Sequence, residues 1–272
     1  MLTAVCHYGF LFFSISAIYL SCSASRAAFI FSVISNVIAM FCLSGAVLAA
    51  IIGFGIQVYL KRPFRAVLMM ILAIALIGLN HLDSQKASLG LPLIAPADTF
   101  TFFFLFLGSF FSASSVHLLS PLAGQLIIMH LFYITIWKKY YRMNLRLYSM
   151  FIFMILLAAF VSIFRANNGL PEAISSRYKI YSLLTLAITY LTLWEVVSES
   201  YRKRIVLAAI CISAAFFVLI NCRYYPAMVF CKEAYDGTVQ SWAAGGKTLN
   251  HPDHERADRI LMKSKSLGIY KP

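Results

Sequence analysis

Seven stretches of the chain are apolar and nearly free of charge: Leu2–Cys22, Ala27–Leu60, Phe64–Asn80, Pro121–Trp137, Ser149–Phe164, Tyr178–Val197 and Ile205–Asn221. Several reach the ~18 uncharged apolar residues that mark a transmembrane helix. The pattern predicts an all-α, polytopic membrane helix bundle of about seven spans over residues 1–221. Residues 222–272 follow as a polar tail.

Two segments do not fit a simple span. Ala27–Leu60 is 34 residues without a charge, about 50 Å of helix at 1.5 Å per residue against a hydrocarbon core of ~30 Å. It either tilts out into the interface as one helix or breaks near Ser44-Gly45, and a break moves the N-terminus to the other side. The single tilted helix, with a cytoplasmic N-terminus, is the reading adopted here. The second segment, Thr99–Ser112, is aromatic and only about fourteen residues long, which suits an interfacial or re-entrant helix better than a span.

Charge placement orients the bundle. Three basic clusters separate the apolar stretches: Lys61, Arg62 and Arg65; Lys138, Lys139, Arg142 and Arg146; Arg202, Lys203 and Arg204. The positive-inside rule places them in the cytoplasm. The mixed-sign loops His81–Asp98 and Arg165–Lys179 then face outward, as does the tail. In the tail, Pro252 and acids precede apolar positions at helical spacing and Gly268 ends them, which predicts one short amphipathic helix.

Composition agrees. Of 272 residues 61% are hydrophobic and 12% charged, with mean hydropathy +0.80, more apolar surface than a soluble domain of this size can hide. The net charge of +13 sits largely in short loops, so it indicates membrane orientation and no nucleic-acid partner. Cys222 and Cys231 stand where apolar sequence gives way to the tail, and a disulfide between them suits a tail in an oxidising compartment.

Candidate chemistry gathers in the outward loops. Arg165 ends one apolar stretch and Arg177 begins the next, so two guanidiniums bracket one short loop, with Tyr178 and Lys179 beside them. Paired guanidiniums suit a phosphate or pyrophosphate bidentately. The plainer alternative is interface residues snorkelling to headgroups. Asp83, directly after a span end, is the acid placed to act as a catalytic base toward a lipid-borne acceptor; the plainer alternative is a solvated loop acid. His117 and His130 lie in or near apolar sequence, where ionisable residues are functional candidates. His251, Asp253, His254 and Asp258 match no metal-ligand spacing, and neither a metal nor a cofactor is implied.

The order of "FFFLFLGSFFS", a span opened by Pro and Gly, and "FRANNGLPEAISSRYKIYS" resembles the C-terminal half of bacterial polytopic, glycosyltransferase-like (GT-C-like) inner-membrane proteins. The resemblance runs from about Asp98 to Pro272 and carries over Arg165, Ser176, Arg177 and Tyr178. It implies work on, or assistance with, a polyprenyl-phosphate-linked sugar in envelope polysaccharide metabolism. One departure stands out. Such enzymes carry an essential acid in the first outer loop, whereas here the first loop is "SASRA", and the chain is about half the usual length. Either the chain is a partial relative with another role, or a protein partner supplies further membrane helices. A noncatalytic membrane partner, an immunity-type protein and a small transporter or flippase are the other readings.

Overall fold

The computed structural model describes residues 2–43, 45–84, 96–111 and 119–243, with positions 259, 260, 262, 263 and 266. Among them every regular element is helical. The chain divides into two compact units, Met1–Arg202 and Lys203–Pro272.

The first unit opens with α1 (Leu2–Ser21), α2 (Arg26–Cys42), α3 (Ala46–Tyr59) and α4 (Pro63–Ser84). Ser25 starts α2 by accepting the Ala28 N–H, the N-cap role that hydroxyl side chains favour. The 27–60 stretch is thus two helices rather than one. Leu43 is extended (φ −161°, ψ 141°) and Gly45 begins α3. A Cβ at Gly45 would stand 3.2 Å from Phe10 and 3.3 Å from Leu157, so this corner packs tightly against α1 and a later helix.

Then come α5 (Pro96–Leu107), α6 (Leu119–Ile136), α7 (Leu145–Arg165), the four-residue α8 (Leu170–Ala173) and α9 (Ser176–Val196). Short 3₁₀ turns at Ser109–Phe111, Tyr140–Arg142 and Ala166–Asn168 join several of them. At twelve residues α5 is about 18 Å long. It packs on α6, α7, α8 and α9. Its close fit on α6 rests on two glycines: a Cβ at Gly108 would come 1.8 Å from the Ser120 carbonyl, and one at Gly124 would come 2.3 Å from that of Phe104.

Long-range contacts fix which helix ends share a side. Arg62 donates to the Ser23 carbonyl at 2.6 Å, and Arg65 to those of Ser23 (3.3 Å) and Ala24 (2.9 Å). The Arg146 guanidinium lies 4.6 Å from the Tyr19 ring centroid, and Tyr59 meets Tyr141 edge-on at 6.1 Å. The α1–α2 turn, the α3–α4 turn and the α6–α7 turn therefore stand together. The first two basic clusters form one end of the unit. Arg202, over Trp194 at 5.6 Å, follows α9, whose final turn reaches the α6–α7 turn through Glu195 and Tyr140.

The interior is largely apolar, built around Phe10, Phe102, Phe106, Phe151 and Leu157, and polar side chains share it while large apolar ones cover the exterior. Ser14, Ser32, Asn36, Gln57, Ser162, Ser182 and Thr192 are fully buried, while Phe12, Phe31, Ile74, Leu126, Met129 and Phe132 point outward. Ser21 and Ser32 exchange a 2.7 Å hydrogen bond, and Ser32 also donates to the Ala17 carbonyl. Small and hydroxylated residues at helix contacts suit association where the surroundings are as apolar as the side chains. By length and composition α6 and α7 can cross a membrane, yet only 28% and 39% of their residues are buried. Five further apolar helices are shorter: Val5–Ser21, Arg26–Cys42, Ala46–Tyr59, Pro63–Leu79 and Pro96–Leu107.

The second unit is dominated by α10 (Glu199–Ala243), a 45-residue helix with Pro226 inside it. Helical structure thus runs well past Asn221, the limit expected for the last apolar stretch. Cys222 is a free thiol. Cys222 and Cys231 lie nine residues apart on one helix, about 13 Å at 1.5 Å per residue, beyond the ~7 Å Cα separation that a disulfide bridges. That expectation is corrected. Of the short tail helix, the described positions 259, 260, 262, 263 and 266 are helical, and the rest lies outside the described residues.

Candidate functional site

The loop expected to hold an anion lies at the far end of α7 from the basic turns. Arg165 closes α7, a 3₁₀ turn follows, and Gly169 takes φ +94°. That left-handed value comes without strain to glycine, and it lets α8 fold back at once. Glu172 on α8 then meets Arg165 at 3.9 Å, the acid largely covered and the guanidinium half exposed. Sequence reasoning paired Arg165 with Arg177; the structure adds a carboxylate partner inside the same loop.

α9 starts at Ser176 after the extended Ser175. Arg177 is therefore in its first turn, where the helix dipole favours an anion, though its side chain lies outside those described. Lys179 is half buried. Tyr178 is only 5% exposed, its ring 5.2 Å from Phe106 and 6.3 Å from Tyr181. Packing takes up that ring in the aromatic core. Asp83 falls in the last turn of α4, about 30 Å of helix from the basic α3–α4 turn. Its side chain, with His81, lies outside the described residues, as does the whole of His117.

Around Tyr178 the structure assembles residues that sequence reasoning missed. Tyr181 shares a hydrogen bond with Nδ1 of His7, 174 positions away, and the two rings meet edge-on. Phe10 lies 6.4 Å from Tyr181. Ser182 donates to the Leu107 carbonyl at 2.6 Å and accepts from the Phe110 N–H at 3.0 Å. It thus satisfies two backbone groups left over where α5 ends. The Leu-Gly-Ser motif is explained by this joint: Leu107 supplies the carbonyl, Gly108 the close approach and Ser109 a buried hydroxyl residue. His7 had a usable signal, since a histidine inside an apolar helix deserves the same suspicion as His117 and His130.

Along α9 the hydroxyls continue inward. Thr185 and Thr189 each donate to the carbonyl four residues back, and Thr192 to that of Thr189. Thr192 Oγ1 lies 2.9 Å from Nε2 of His130. Because the threonine proton is committed to its carbonyl, the imidazole is the donor in this pair. His130 is thereby tied to α9 and packed close to Phe151 and Tyr133.

The basic end closes on Glu195, which accepts from the Tyr140 hydroxyl at 2.6 Å and from the Asn144 amide at 3.0 Å and 3.1 Å. Asn144 also caps α7 through the Leu147 N–H. Burial first, then the hydrogen bond and charge of Glu195, push the Tyr140 hydroxyl well above its usual ionisation range, with Asn144 opposing. Glu195 therefore ties the α6–α7 turn to α9 rather than neutralising an arginine. No family model, no curated protein and no solved structure matches the chain.

Proposed function

We propose that the protein is a polytopic bacterial inner-membrane helix bundle that binds the phosphate or pyrophosphate of a lipid-linked sugar at the end opposite its basic turns. The observation that supports membrane embedding is the exterior, where large apolar side chains such as Phe12, Phe31, Ile74, Leu126, Met129 and Phe132 are exposed. With the basic turns cytoplasmic, the break at Leu43–Gly45 makes α1, α2, α3 and α4 successive crossings. The N-terminus then lies outside, and seven expected spans become eight, counting the apolar part of α10 and leaving α5 as an interfacial or re-entrant helix.

Arg165 closes α7, Arg177 and Lys179 fall in the first turn of α9, and Glu172 in the loop between them pairs with Arg165 at 3.9 Å. This arrangement supports an anion-binding rather than a catalytic role. Asp83 remains the residue proposed as base if the protein acts alone.

The test replaces Arg165 and Arg177 separately with Gln and measures lipid-linked and surface glycan in cells. A fall in glycan at unchanged protein level is expected. Normal glycan in both variants overturns the assignment.

A second reading, a noncatalytic membrane partner, is favoured by one observation: Tyr178 is occupied by Phe106 and Tyr181. Co-purification of a stoichiometric membrane partner supports it.

A further inference from the structure

The basic end carries charge that the described protein leaves uncompensated. None of Lys61, Arg62, Arg65, Lys138, Lys139, Arg142 and Arg146 makes an ion pair with a carboxylate among the described residues. The acid in contact with this end, Glu195, is engaged by a phenol and an amide. Arg62 and Arg65 donate to the Ser23 and Ala24 carbonyls, and four of the seven cations lie over aromatic rings. Arg65 lies over Phe29 at 5.2 Å, Lys138 over Tyr133 at 5.8 Å, Arg142 over Tyr141 at 5.6 Å and Arg146 over Tyr19 at 4.6 Å.

Such pairs hold the apolar stem down and leave the cationic rim facing outward. Lys61 and Lys139 stand at turns with φ 55° and 48°, backbone geometry that ordinarily selects glycine. At the end of α6, Tyr133, Trp137 and Lys138 line an open pocket of about 350 Å³. Its walls are two exposed aromatics and an ammonium.

We infer that this end is a docking surface for anionic phospholipid, with the Tyr133–Trp137–Lys138 pocket taking a phosphodiester headgroup. The aromatic rings lie where the apolar exterior meets the basic turns, the depth at which such side chains anchor in a bilayer. Unpaired cations just beyond them match the phosphate layer of an anionic leaflet. A nucleic acid or acidic protein fits less well, because ring edges and alkyl stems cover much of the surface between the charges. The inference rests on the membrane reading above, although not on the glycan assignment.

The test reconstitutes the full chain, with Trp194 and Trp242 changed to Phe, so that Trp137 alone fluoresces. Bilayers of phosphatidylcholine are doped with brominated phosphatidylcholine or brominated phosphatidylglycerol at equal mole fraction. Both lipids are expected to quench, the anionic one more strongly, and Lys138→Gln is expected to reduce that preference about fivefold, the worth of one cation near a charged surface. In the unmutated sequence at position 138 the preference is also expected to fall as salt rises, which keeps the test valid if the variant fails to fold.

Equal quenching by both lipids overturns the inference while leaving the membrane reading intact. No quenching by either overturns both. Loss of preference on adding inorganic phosphate, at ionic strength matched with chloride, reassigns the pocket to soluble phosphate and likewise overturns it.

Discussion

Tyr140 and Glu195, 55 residues apart, share a 2.6 Å hydrogen bond that fastens the α6–α7 turn to the end of α9. A hydrogen bond to a charged acceptor contributes about 1.5–3 kcal/mol, so Tyr140→Phe is expected to lower stability by that order in a detergent unfolding assay. The pH dependence has a definite sign. The hydroxyl ionises at higher pH in the folded protein than its ordinary value of 10.0. The folded state thus binds a proton that the unfolded chain has released. The contribution is complete below pH 10 and declines as pH climbs from there toward the folded ionisation. Tyr140→Phe is expected to flatten that alkaline loss, and an equal slope in both proteins counts against the bond.

The α5–α6 contact makes a sharper steric demand. Gly108→Ala and Gly124→Ala each drive a methyl into a backbone carbonyl, at 1.8 Å and 2.3 Å, and neither carbonyl can rotate away. Costs at or above the upper end of about 1–3 kcal/mol are expected, with loss of folded protein in size-exclusion profiles. Gly55 supplies the control. A Cβ there meets nothing within 4 Å, so Gly55→Ala is expected to be neutral or to stabilise α3 by about 0.5–1 kcal/mol.

Helix positions were legible where charge bounds an apolar stretch. Phe64–Asn80, Pro121–Trp137 and Tyr178–Val197 each fall within a few residues of α4, α6 and α9. The break at Leu43–Gly45 was legible only as one of two options, because no proline or charge marks it. Its cause is the approach of Phe10 and Leu157 from other helices. Likewise the polar residues after Asn221 suggested an ending, yet α10 continues through them. The loop between α7 and α9 was recognisable from Arg165 and Arg177. The partners that decide its character, Glu172 for Arg165 and Phe106 for Tyr178, are set by tertiary packing. No spacing rule in one sequence encodes the meeting of His7 with Tyr181.

Topology gives the next expectation. Ala24, in the α1–α2 turn, accepts from Arg65 through its carbonyl and is exposed, whereas Ala97 is exposed at the start of α5. With native cysteines replaced, Ala97→Cys is expected to react with an impermeant maleimide in intact cells. Ala24→Cys is expected to react only after permeabilisation. Labelling of both positions in intact cells is incompatible with cytoplasmic basic turns.

The ion pair in the outer loop separates a structural arginine from a binding one. At 3.9 Å, with Arg165 about half exposed, the pair contributes at most about 1 kcal/mol, so Glu172→Gln is expected to leave unfolding nearly unchanged. Its effect on ligand should be the opposite of a loss. Removing the carboxylate frees the guanidinium and removes a repelling charge, so binding of inorganic pyrophosphate is expected to strengthen severalfold, with less competition from salt. Arg165→Gln is expected to abolish the same signal at comparable stability. Isothermal titration of both variants decides the point. If Glu172→Gln binds no better than the parent while Arg165→Gln unfolds more easily, Arg165 serves the loop and not an anion.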